Sequence, residues 1–342
     1  MSSSFDHTSN ISQALARLRL RKAPRNILND YAATLLAHSE SPEREDLIRL
    51  ISLDPLMAVW ILKRANGSYY GLRSMVDSVS RAIDVLEESA IAGMFADTFG
   101  AQTISQKDLP SSSPDALTRH SVATAIISTL MASGDLRTRG FAFTAGLLHD
   151  IGKHVFALNF PEEAAKMYCN SSLWDSLQGT DLISVEQLAF GIDHREVGEF
   201  IARKMYFPEI LTDVLRTHAK PSSLPSSHAA FQMACIVNAA SLAATAMGYA
   251  AGEPVSWEQC SADARWDKLT TGRLVDWDQT QSLLSDIEAT RSSIEEFLEF
   301  EVNRSKTLMN SDSQPKRMDR EPVNSGRKSS CERRNRGQRK QS

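Results

Sequence analysis

The period of its apolar residues restricts this chain more than any other feature. In "EDLIRLISLDPLMAVWILKRANG", Leu47, Leu50, Ile51, Leu56, Val59, Trp60 and Leu62 recur largely at three- and four-residue steps. That spacing stacks side chains along one face of an α-helix. "SVSRAIDVLEESAIAGMFADTF" and "QTQSLLSDIEATRSSIEEFLEFEVNR" continue it. The alternating Val, Ile and Thr runs that mark strands are missing, so the predicted fold class is all-α. Asp54-Pro55 predicts a capped restart of a helix, with Pro at its first position. Asn66-Gly67 predicts its end, both residues tolerating left-handed backbone angles. With 42% apolar and 23% charged residues, the chain has enough apolar surface for a sizeable core.

Polar breaks divide the helical pattern. "QKDLPSSSPDA" (106–116) predicts a loop between two helical halves. "GYAAGEPVSWEQCSADARWDK" (248–268) predicts an irregular stretch. The last helix has an apolar face of Leu283, Leu284, Ile287, Ile294 and Leu298 that must pack on something. Residues 304–342 hold 12 Lys/Arg against four acids, so a tail of charge +8 follows a body of charge −12. Almost devoid of large apolar side chains, that tail is expected to be disordered. It reads either as a solubilising extension or as an arm for polyanions such as nucleic acid. No apolar stretch reaches the ~18–20 residues of a membrane span, and "MSSSFDHTSNISQ" lacks the pattern of a secretory signal. Cys169, Cys235, Cys260 and Cys331 form no CxxC pair, which suits free thiols. The expected location is the cytoplasm.

Four of the eight histidines carry the chemical signal. His120 lies at the start of "RHSVATAIISTLMA", and His149-Asp150 follows in "GLLHDIGKHV". His194 falls in "FGIDHREVGEFIARKM" and His218 in "ILTDVLRTHAKP". Each stands near the end of an amphipathic helix, where ends can converge. Neutral imidazoles bind divalent transition metals, and one carboxylate can bridge two ions. Asp150 is the carboxylate placed for that role. Lys153, on the same helical face three residues on, could hold a phosphate oxygen. A lone histidine on an apolar helix is more often a hydrogen-bonded core residue. Only the joint appearance of four around one His-Asp pair argues for a site.

"SLDPLMAVWILKRANGSYYG", "AFTAGLLHDIGKHVFAL", "EQLAFGIDHREVGEFIARKMYFPEIL" and "VLRTHAKP" together resemble the HDOD family, the HD-related output domain of bacterial signalling proteins. The resemblance spans roughly residues 12–245. It implies an N-terminal helical bundle (12–105) and a helical core (116–245) related to HD-type metal-dependent phosphohydrolases. A C-terminal helical extension (246–303) and the basic tail (304–342) lie outside it. By resemblance, the metal ligands are His120, His149, Asp150, His194 and His218, holding one or two Fe, Mn or Zn ions. The closing acidic position falls on Asn238, which brings no charge. Ala219 stands in place of a second histidine, and Gly67 in place of the serine of an "ANS" pattern. The stretch after "HDIGK", "HVFALNFPEEAAKMY", lacks the extended motif of the Gly-Tyr-Pro-bearing cyclic-dinucleotide phosphodiesterases. The resemblance implies a regulatory role through contacts with signalling proteins, without turnover. The alternative is a phosphohydrolase of undetermined substrate, with Lys153 as a phosphate contact.

Overall fold

The computed structural model describes residues 44–87, 116–169, 171–177 and 181–299, together with Leu15, Leu18, Ala90, Ile91 and Met94. The expected disordered tail and most of the 106–116 break lie outside these residues. Among the described residues the secondary structure is helical, with no strand. The helices are α1 (Arg44–Ser52), α2 (Pro55–Ala65), α3 (Val79–Val85), α4 (Ala116–Met131), α5 (Leu136–Leu148) and α6 (Ile151–Asn159). They continue as α7 (Pro161–Tyr168), α8 (Ser171–Ser176), α9 (Leu182–Phe190), α10 (His194–Lys204) and α11 (Glu209–Thr217). Then come α12 (Phe231–Ala246), α13 (Trp257–Ser261), α14 (Arg265–Thr271) and α15 (Thr280–Ala289).

Local sequence sets many of these boundaries. The Asp54 side chain accepts from the Leu56 and Met57 amides, and Pro55 opens α2. Asp193 caps α10 in a capping box with Glu196. Helix α2 ends at Asn66 as expected, but without a left-handed residue there. Asn66 has φ −82° and so is not left-handed. Its side chain instead clamps the following loop, donating to the Val76 carbonyl and accepting from the Val76 amide. The left-handed residue is Gly71, φ 54°. Residues 248–268 also differ, because they contain α13 and the start of α14. A Ser256–Gln259 capping box starts α13, and Trp266 buries its ring and donates to the Cys260 carbonyl.

Long helix α4 packs against α5 and α12, forming the centre of the molecule. Helix α6 is flanked by α7 and α10, and α10 by α11. The N-terminal helices α1–α3 join this core through α5 and α6. Buried apolar side chains from Leu47 to Leu298 form one continuous cluster. The apolar face of the C-terminal extension is buried as its pattern requires, with Leu283, Leu284, Ile287, Ile294 and Leu298 all in the core. That face is carried by α15 and by helical residues 291–299, separated at Thr290. Two glycines let backbones meet where side chains would keep them apart. A Cβ on Gly146 would lie 2.8 Å from the Ala125 Cα, and one on Gly152 only 2.0 Å from the His194 carbonyl oxygen. The second contact draws the start of α10 onto the start of α6.

Candidate metal centre

Helix ends deliver the predicted residues to one place. His149 caps the C-terminus of α5 and Asp150 the N-terminus of α6. His194 is the first residue of α10, His218 the C-cap of α11, and His120 lies in the second turn of α4. All five, with Lys153, are buried, Lys153 being the most exposed at 6%.

The Asp150 carboxylate is the hub. Its Oδ2 lies 3.2 Å from His149 Nε2 and 3.6 Å from His120 Nε2. Its Oδ1 lies 3.5 Å from His194 Nε2 and 3.4 Å from His218 Nε2. Two ligand groups with metal-compatible spacing therefore share Asp150: His120–His149–Asp150 and Asp150–His194–His218. The Lys153 ammonium donates to Asp150 Oδ2 at 2.6 Å and to the Ala251 carbonyl at 3.2 Å. Burial alone would raise the Asp150 pKa, but the Coulomb fields of His149 and Lys153 hold it well below the usual carboxylate range.

Each of the four imidazoles has its Nδ1 anchored. His120 pairs with the Tyr249 carbonyl at 2.8 Å, His149 with that of Gly146 at 2.7 Å, and His218 with that of Leu215 at 2.9 Å. His194 Nδ1 lies 2.6 Å from Glu186 Oε2, which also accepts the His194 amide. A carbonyl partner requires the proton on Nδ1 and leaves Nε2 to face Asp150, the arrangement that orients histidine ligands toward a metal. Burial is the main cause that lowers His120 to about 3 and His218 to about 4, so both are neutral at pH 7. His149 Nε2 is buried without a hydrogen-bond partner, its 3.2 Å approach to Asp150 falling outside hydrogen-bond geometry. An orphaned ligand nitrogen, anchored imidazoles and a shared carboxylate fit a divalent transition metal. The ion would be held by Asp150, His194 and His218, or by Asp150, His120 and His149.

Asn238 does not join the cluster through its side chain. Its Oδ1 accepts from Arg265 Nη1 at 3.0 Å. The residue of α12 that touches a cluster histidine is Ser241, one turn on, with Oγ 3.2 Å from His120 Nε2. Of the histidines set aside as candidates, His154 lies against Ser121 and His228 near Asp213. Glu186 is a carboxylate at the cluster that the sequence pattern did not single out. It is fully buried and also accepts from the Tyr168 hydroxyl at 2.7 Å. Its signal was a carboxylate in the apolar run "EQLAFGIDH", eight residues before His194. The Tyr249 and Ala251 contacts are made by main-chain carbonyls and leave no mark on residue type.

No curated protein matches the chain. In fold, the chain is similar to the MmoQ response regulator from Methylococcus capsulatus str. Bath, at 24% identity over 76% of this chain and 97% of that one, TM-score 0.53. It is also similar to a virulence factor from Campylobacter jejuni subsp. jejuni, at 16% identity over 84% of this chain and 97% of that one, TM-score 0.59. The sequence profile of the HDOD domain matches residues 27–221, more than half of the chain. The chain belongs to the HDOD domain family.

Proposed function

We propose that this chain is a regulatory protein of bacterial signalling, acting through contacts with other proteins and not turning over a substrate. In this reading residues 12–245 are its HDOD unit and 246–303 a C-terminal extension, whose Leu283, Leu284, Ile287, Ile294 and Leu298 are in the core. Burial carries this reading. A phosphohydrolase must bring a phosphate to the ligand cluster, yet His120, His149, Asp150, Lys153, His194 and His218 are all inside the protein. The Lys153 ammonium that would meet a phosphate already donates to Asp150 and to the Ala251 carbonyl. The cluster then works as a polar network joining five helix ends, with a metal ion as its structural centre where one binds. Such an ion would supply Lewis-acid character and the cation that the anchored imidazoles lack. Among the described residues no helix is long and apolar enough to cross a membrane, which agrees with a cytoplasmic role.

The test is metal analysis of the purified full chain, joined to an assay with bis-p-nitrophenyl phosphate after loading with Mn, Fe or Zn. The expected result is an ion that stabilises the fold and depends on Asp150, with no hydrolysis above that of the Asp150→Ala variant. Hydrolysis that requires metal and disappears in Asp150→Ala overturns the reading in favour of a phosphohydrolase. The imidazole anchoring is the observation that favours this second reading.

A further inference from the structure

On the face of α12 next to the one that carries Ser241 lies a cleft of about 610 Å³ between α12, α14 and the loop before α12. All of its lining residues but Pro221 lie beyond the residues matched by the family profile, which end at 221. Its volume falls within the range of small-molecule sites, roughly 300–1,000 Å³. Phe231, Cys235, Leu269 and Leu274 give it apolar walls. Its charged lining residues are Asp263, Arg265 and Lys268. Asp263 accepts from Arg265 Nε at 2.9 Å and Nη2 at 3.2 Å. One of the two positive charges is thus compensated, which leaves the lining with a net charge of +1.

We propose that this cleft between α12 and α14 binds a small amphipathic carboxylate, its apolar body on Phe231 and Leu269 and its carboxylate at the Arg265–Lys268 rim. The charge count selects a monoanion, because a phosphate dianion would meet Asp263 without a second free cation. The walls select an apolar body, since sugar hydroxyls would go unpaired against Phe231, Leu269 and Leu274. Arg265 is held in position to receive the carboxylate. Its Nη1 bonds both the main-chain and side-chain oxygens of Asn238, at 3.3 and 3.0 Å. The site is built entirely of this chain's own residues and holds whether or not the His/Asp cluster carries an ion.

The experiment uses the full chain, 8-anilinonaphthalene-1-sulfonate as fluorescent probe and decanoate as competitor. One saturable site per chain is expected, with decanoate displacing the probe at a dissociation constant on the order of 10 µM. Lys268→Glu changes the lining from net +1 to −1 and lies on an exposed side chain. It is expected to weaken decanoate at least tenfold with the melting temperature unchanged. Lys166→Glu, an exposed charge reversal on α7, leaves binding as it was. Decanol binding as tightly as decanoate, or binding insensitive to Lys268→Glu, overturns the proposal. So does binding that appears only after truncation beyond Asn303, which would make the chain's own C-terminal residues the occupant.

Discussion

The two sides of the Asp150 carboxylate are built differently. The Oδ2 side, facing His120 and His149, already holds a cation: the Lys153 ammonium at 2.6 Å. His120 there also has Ser241 within hydrogen-bond reach. Among the described residues the Oδ1 oxygen has no such cation within ion-pair distance. This side presents His194 and His218, with His194 backed by the fully buried Glu186. Net charge decides between them. Two divalent ions sharing one carboxylate would add four positive charges beside a fixed ammonium, which the low-dielectric interior strongly disfavours. A single ion on the Oδ1 side would be held by Asp150, His194 and His218, with Glu186 behind His194. An HD-like ligand set thus need not be a two-metal site when a lysine occupies one side.

Removing the shared group breaks the comparison most severely. Asp150→Ala strips both sides and leaves the Lys153 ammonium buried without its carboxylate. We expect a loss of about 3–5 kcal/mol together with loss of bound metal, read by urea unfolding and elemental analysis. Gly152→Ala acts through the backbone, because its Cβ would lie 2.0 Å from the His194 carbonyl oxygen. Pushing α10 away from α6 separates the Oδ1 ligands from Asp150. The expected cost is about 3 kcal/mol, with metal affinity falling in parallel.

Acidification probes both sides of the metal-free protein. Burial lowers His120 to about 3 and His218 to about 4, from an ordinary value of 6.5. Between pH 4 and 6.5 the unfolded chain binds protons that these folded imidazoles refuse. Stability is therefore retained above the unfolded value and lost as pH falls toward the folded ones. At pH 5 the loss is about 2 kcal/mol per histidine, seen as a lower urea midpoint than at pH 7. His120→Asn and His218→Asn, made separately, apportion it between the two sides.

Glu186→Gln tests the backing of the Oδ1 side alone. It keeps a hydrogen-bond acceptor for His194 but removes the charge, and metal affinity should fall ~10–100-fold. An unchanged affinity would place the ion on the Oδ2 side. The smallest effect separates two residues of α12. Ser241→Asp adds a negative charge on the Oδ2 side, beside His120, and should raise affinity a few-fold, through its attraction for a cation at the cluster. Asn238→Asp instead places its charge against Arg265 and should leave affinity unchanged. A gain from Asn238→Asp would put that side chain in the cluster.

These contrasts follow what a linear pattern can carry. The helices, the Asp54-Pro55 cap and the candidacy of His120, His149, Asp150, His194 and His218 were legible in the sequence; their convergence came from the fold. Capping and apolar period are local, and the ligand residue types are distinctive. Other parts of the site had no local signal. The α12 stretch "FQMACIVNAASLAATAM" is buried around much of its circumference, so periodicity cannot say which polar residue faces His120. A three-residue step turns a helix by about 60°, enough to send Asn238 to Arg265 and Ser241 to the cluster. The short helices within 248–268 escaped notice for a related reason, their stability resting on the burial of Trp266 and Cys260 in the core.

By itself, the sequence determined that the chain is helical and singled out four histidines and an aspartate as candidates for one site, because spacing and side-chain chemistry are written residue by residue. Only the tertiary structure decided that Lys153 neutralises one side of Asp150, that Glu186 supports the other, and that the Tyr249 and Ala251 carbonyls anchor His120 and Lys153. Those contacts depend on the rotation and approach of whole helices and on main-chain atoms common to all residue types.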